Sequence, residues 1–391
     1  MLISTPFLPL RKDIGYGGSE RVVASLYDNL KKVDPNIQVY LAAPNGSEFA
    51  NIKTICKPIG VFDIYGDRIS NYDTINLRFE HISSSIKAIE GIKPDIIHVH
   101  DDNFLPFMRL YPNSLLTLHA DPDNFWNPEL HPDILNSKLN LIAISHHIKR
   151  EYEKKGWKIR DVVYNGINID EIPFNQNKLD YLYWIGVISP HKGLHVAINV
   201  AKQSGFDLVF SGIIGDKKYY SKYIQPYVTH EITSENDKMS AYMNLGRGRG
   251  RIVYTGEVNN NQKYPLYANA IVTLVPSLFI EPFGLVVVES LVAGTPVIGS
   301  KIGGIAEIIN HEKNGFLVNI PSDSEELNDL NKEPYDSEFV LQTSNYFLDY
   351  LSRINSIPPK NCRERANMFS SEKMAREYIR IYNEIYNENK I

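Results

Sequence analysis

Short apolar runs alternate with helical patterns along most of the chain, and this alternation restricts the fold more than any other feature. Strand-like runs lie at 1–5, 38–43, 95–102, 114–120 and 141–145, and again at 181–185, 207–212, 252–256, 270–275 and 297–299. Helical stretches separate them, such as the one with Val22, Val23, Leu26, Leu30 and Val33 on one side. Strand and helix in turn build parallel sheets with crossover helices. At 391 residues the chain exceeds one ordinary core, so two doubly wound, Rossmann-like α/β domains are expected. The domains are placed at 1–170 and 171–370, with a polar linker around 170–180 that contains Pro173. Residues 45–93 are less regular, and a peripheral helix is expected at 79–89.

Composition excludes several classes. Hydrophobic residues make up 43% and charged residues 22%, as in globular enzymes. A net charge of -5 gives no overall attraction to nucleic acid. Cys56 and Cys362 form no metal-type cluster and suit a reducing, cytoplasmic setting. The start of the chain shows no signal-peptide pattern, and no apolar run reaches the ~20 residues needed to cross a bilayer. The basic stretch Lys149, Arg150, Lys154, Lys155, Lys158 and Arg160 is either a solvated face or a weak peripheral contact with an anionic inner-membrane surface or an acidic acceptor.

The chemistry is densest between two apolar runs, at Pro276-Ser277-Leu278-Phe279-Ile280-Glu281-Pro282-Phe283-Gly284-Leu285, with Glu289 downstream. Glu281 reads as a helix N-cap and Pro282 as the first helical residue. The amides of Phe283, Gly284 and Leu285 would then be free donors for an anion or a polar ligand, with Gly284 allowing close approach. On one helix Glu281 and Glu289 would stand about 12 Å apart in rise. A ligand touching both is long, and a nucleotide-sugar fits, with one carboxylate at the sugar and the other at the ribose. A buried crossover helix with one exposed glutamate fits the spacing too, and Val286-Val287-Val288 could form a strand.

Other segments are read individually. Gly15-Tyr16-Gly17-Gly18-Ser19-Glu20, between a strand and a helix, either offers backbone amides to a phosphate or sugar or needs glycine for its shape alone. Lys192, beside Gly193 and six residues after Gly186, can pair with phosphate oxygens and stabilise a leaving diphosphate. His98 and His100 share one strand face, but no second cluster completes a metal shell. His119 ends the strand-like run 114–120, where ligands bind in parallel sheets. Asp121-Pro122-Asp123 is read as loop chemistry.

Taken in order, Glu281-Pro282-Phe283-Gly284, Glu289, Gly294-Thr295-Pro296, Gly303-Gly304-Ile305-Ala306-Glu307 and Asn314-Gly315-Phe316-Leu317-Val318 resemble the donor half of the retaining glycosyltransferases of family 4. The chain looks closest to the subgroup that assembles antibiotic oligosaccharides. The resemblance implies a GT-B fold whose two domains face a cleft, with a final helix, 371–391, crossing back to the first domain. It implies that Gly17 and Gly18 lie by the donor phosphates and that His119 bonds the donor sugar. It further implies that a sugar passes from a nucleotide diphosphate to an acceptor hydroxyl with retention, without metal or cofactor. Saccharide, lipid-linked and small-molecule acceptors stay open. The family usually has Arg where Val187 stands, so a diphosphate cation must come from elsewhere; the glycine-flanked Arg247, Arg249 and Arg251 are one source, unless they form a plain exposed loop. Two rivals remain: a nucleotide-sugar epimerase, and a nucleotide-sugar binding protein without turnover.

Overall fold

In the computed structural model the described residues are all except 12–16, 56–69, 125–131, 136, 235, 247, 321–336 and 391. The chain forms two units, Met1–Asn168 with Phe369–Ile391, and Ile169–Met368.

The first unit is built on strands β1 (Leu2–Ser4), β2 (Tyr40–Ala43), β3 (Ile52–Lys53), β4 (Ile97–Val99), β5 (Ser114–Leu118), β6 (Leu141–Ala143) and β7 (Asp161–Val162). They pair in parallel in the order β3-β2-β1-β4-β5-β6-β7. Strand β5 is buried along its whole length, as a sheet covered on both faces requires. The peripheral helix is longer than expected, Asn71–Ile92, because Ser70 caps it by accepting from the Asp73 amide.

The second unit uses β8 (Leu179–Ile185), β9 (Asp207–Ser211), β10 (His230–Glu231), β11 (Ile252–Tyr254), β12 (Ala270–Val275), β13 (Val297–Ser300) and β14 (Gly315–Val318). Their order is β10-β11-β9-β8-β12-β13-β14, again parallel. The edge strand β10 is only two residues long and lies in the segment between β9 and β11. In each sheet the strand order reverses beside the first strand, at β1/β4 and at β8/β12. Ligands of doubly wound sheets bind outside the carboxyl ends of the strands at such a point.

The helix Ser371–Glu388 belongs to the first unit, where it packs on the helix Gly18–Val33. Met374, Ala375, Tyr378, Ile381, Tyr382 and Ile385 form its buried stripe at helical spacing. Ile167 and Ser370 form a parallel bridge where the chain re-enters. A Cβ on Gly166 would lie 2.6 Å from the Ser371 Cα, so only glycine fits there.

Candidate functional site

In the second unit the loops after β8 and β12 meet at the reversal point. Gly193, at φ 70, lies so close to the second loop that a Cβ would stand 1.9 Å from the Pro276 carbonyl oxygen. The Leu278 amide donates to the His191 carbonyl at 2.8 Å. This contact places Lys192 Nζ 2.7 Å from Glu281 Oε2 and 4.2 Å from the centre of the Phe279 ring. Both charged side chains keep some exposure, 24% for Lys192 and 20% for Glu281. The His191 ring meets Phe279 edge-on, and burial, then the Lys192 charge, pull its pKa down to about 4. The site thus presents one cation, one carboxylate and a neutral imidazole around an aromatic ring.

The helix after the second loop starts later than the sequence suggests. It spans Leu285–Val292, and its N-cap is Gly284 at φ 110, not Glu281. Residues 281–283 cannot be helical because the segment after β13 presses on them. The Gly304 amide donates to the Glu281 carbonyl at 2.8 Å, and a Cβ on Gly303 would stand 2.2 Å from that oxygen. Pro282 is therefore not a first helical residue, and Phe283 is buried under Gly304 at 3% exposure. By position, the amides without an intrahelical acceptor are those of Leu285 and Val286. The run Val286-Val287-Val288 is helix, not strand.

Glu281 and Glu289 consequently do not share a helix, and Glu289 does not stand open to a ligand. It is 1% exposed, Lys263 Nζ donates to Oε1 at 2.8 Å, and the Tyr267 hydroxyl donates to Oε2 at 3.0 Å. A ribose hydroxyl reaches it only if one of these partners turns away. Lys263 and Tyr267 are four apart and so share a face of the helix Asn260–Asn269.

Gly186 and Val187 form the start of the first loop. Gly212, from the loop after β9, packs against Gly186 so closely that a Cβ there would lie 1.8 Å from the Gly186 carbonyl oxygen. Val187 packs on Gly215. Arg251 does not supply the missing cation, because its guanidinium is bound to Asp207 Oδ2 at 2.6 and 2.8 Å at the amino end of β9, opposite the strand ends that carry Lys192. Arg247 lies outside the described residues.

In the first unit Gly17 is the N-cap of Gly18–Val33, at φ 103. The expected anion place beside Gly17 and Gly18 is filled from within. The Glu20 carboxyl folds back so that Oε2 would be 2.7 Å from a Cβ on Gly17, and the Ser19 hydroxyl donates to it at 3.1 Å. Burial raises the Glu20 pKa. Gly15 and Tyr16 lie outside the described residues.

His119 follows β5 and is half-buried, with Nε2 2.9 Å from His100 Nδ1. The His98 ring lies tilted against that of His100 with centres 4.1 Å apart, and both its nitrogens are taken, Nδ1 by the Tyr382 hydroxyl and Nε2 by Thr117 Oγ1, each at 2.8 Å. Both nitrogens of His98 and Nδ1 of His100 are thus occupied. Much of the basic stretch is paired with acids: Lys149 with Glu153, Lys154 with Glu151, Lys155 with Asp123, and Arg160 with Glu384 and Glu388. Among the described residues no helix is long and apolar enough to cross a membrane.

Comparison with known proteins agrees with this architecture. The model of Glycosyltransferase Family 4 matches residues 16–171, and that of Glycosyl transferases group 1 matches residues 167–338. An uncharacterized glycosyltransferase of Methanocaldococcus jannaschii is 32% identical over 46% of this chain and 46% of its own length, so the match spans about half of that relative. The O-antigen chain mannosyltransferase C of Escherichia coli is 23% identical over 94% of each chain. Among solved structures, AviGT4, a glycosyltransferase involved in avilamycin A biosynthesis, superposes with a TM-score of 0.61 at 16% identity, covering 99% of this chain and 98% of that one. The Anabaena protein HepE, in complex with UDP and glucose, gives a TM-score of 0.61 at 18% identity over 98% of this chain and 100% of its own. With both family models in tandem on two parallel seven-stranded sheets, the chain has the GT-B fold and is similar in both units to the glycosyltransferases of family 4.

Proposed function

We propose that this chain transfers a glycosyl group, with retention, from a nucleotide diphosphate sugar to a hydroxyl of a saccharide acceptor. The observation that carries the reading is the Lys192–Glu281 pair beside Phe279, next to the start of the helix Leu285–Val292. A diphosphate would take Lys192 and the amides of Leu285 and Val286. Sugar hydroxyls would donate to Glu281. Each charge is neutralised by the other in the pair, so a donor carrying both an anion and hydroxyls exchanges partners without leaving either group alone.

Lys192 stabilises the charge that builds on the departing diphosphate, whose oxygen takes the acceptor proton on the same face of the sugar. No side chain need become a covalent nucleophile, and the cation is supplied by lysine, so no metal is required. His119, in the first unit, bonds a sugar hydroxyl. Gly17 and Gly18 act by shaping the turn beside Glu20, and Glu289 acts through the helix it anchors. The full-length likeness to an O-antigen mannosyltransferase supports a saccharide acceptor. Behind the antibiotic-oligosaccharide subgroup stands only a likeness of fold.

Thermal unfolding with UDP, GDP, ADP and dTDP, without metal, tests the donor site. A nucleotide at ~100 times its dissociation constant adds about 2.7 kcal/mol, a rise of several degrees. Lys192→Ala is expected to lose that rise, whereas Glu281→Ala keeps it and loses sugar transfer. No rise with any of the four overturns the proposal.

A further inference from the structure

The histidine column in the first unit fixes more than the place of His119. Burial pulls the pKa of His119 down to about 4 and that of His98 to about 3, and puts that of His100 well below its ordinary value. Each ring is therefore neutral near pH 7 and carries one proton, on one of two nitrogens. The ring of His100 decides which nitrogen of His119 that is.

His100 Nδ1 faces His119 Nε2 at 2.9 Å, and one of the two must donate. His100 Nε2 is buried and has no hydrogen-bond partner among the described residues. With its proton on Nε2, His100 would bury an N–H with no acceptor. With the proton on Nδ1 it donates to His119 and leaves only a lone pair unmet. Buried N–H groups without acceptors are the rarer case. The His98 ring packs at a tilt against that of His100, and its own nitrogens are occupied by Tyr382 and Thr117, so neither offers His100 an alternative.

We infer that His100 is a positioning residue that locks His119 as the Nδ1–H tautomer, so that His119 meets the donor sugar as a hydrogen-bond donor and not as a proton acceptor. The second half rests on the proposed role of His119 at the sugar. Its Nε2 lone pair is spent on His100, which leaves the Nδ1 side for a ligand and excludes His119 as a general base.

Long-range proton–nitrogen correlation spectra of the intact protein, labelled in histidine, read the tautomer without any substrate. The expected result is a protonated Nδ1 and a bare Nε2 on His119. A protonated Nε2, or a mixture of the two forms, overturns the inference. His100→Asn keeps an amide donor near the Nδ1 place and is expected to preserve both tautomer and transfer. His100→Asp places an acceptor there, is expected to flip His119 to Nε2–H, and should lower kcat by about tenfold. A flip with unchanged kcat would leave the tautomer standing and remove His119 from the sugar. A failed nucleotide shift would count against the donor site alone. If His100→Asp does not fold, the spectrum of the unaltered protein still decides.

Discussion

Lys263 and Glu289 are buried to 1% exposure and hold each other at 2.8 Å. Removing one leaves a charge without a partner in a low-dielectric place. Glu289→Ala is therefore expected to cost about 3–5 kcal/mol, read as a fall in melting temperature on the order of 10 °C. The double change Lys263→Met with Glu289→Leu should recover most of that loss. If the double variant melts normally but no longer responds to nucleotide, Glu289 does reach the ribose. This pairing was poorly legible in the sequence, because the partners are 26 positions apart and meet through helix packing. Lys192 was legible because its glycine neighbour is local, whereas the His100–His119 contact joins two strands nineteen positions apart.

Among elements, the loop after β12 owes its shape to glycines elsewhere in the chain. Gly303 stands at φ 52 with the Glu281 carbonyl where its Cβ would be, so Gly303→Ala must push the Glu281 loop away. A displacement near 1 Å at a reacting site can cost up to about a hundredfold in rate, and the loss should appear in kcat/KM for transfer. Gly205→Ala is the control: φ is also positive, at 75, but nothing lies within 4 Å of its Cβ. It should carry backbone strain of about 1–2 kcal/mol and leave kcat/KM unchanged. The same contact explains why the helix begins at Leu285. Its start is set by Gly303 and Gly304, eighteen and nineteen positions downstream, which no local capping pattern contains. The strands were legible because their apolar runs are continuous, and the short edge strand β10 was not, because two residues make no pattern.

Across the whole molecule, buried imidazoles set the response to acid. His98 and His195 are lowered to about 3, and His119 and His191 to about 4, in every case chiefly by burial. The folded chain keeps them neutral while the unfolded chain protonates them near pH 6.5, so the unfolded state binds more protons below that pH. Stability is thus fully present above about pH 6.5 and is lost as pH falls toward 4, by at most about 1.4 kcal/mol per pH unit for each ring. Asp102 works the other way. Burial, then Asp101, raises its pKa to about 6, which favours the fold as pH drops below that value. Calorimetry from pH 7 to pH 4 should show the onset of unfolding moving to lower temperature, and a flat profile would contradict the burial of these rings.

The helix Ser371–Glu388 gives the first sheet its partners Tyr378 and Tyr382, yet the entire second unit lies before it in the chain. On a ribosome the second unit therefore emerges whole while the first still lacks its last helix. The half of the protein that is synthesised first is the half that finishes folding last.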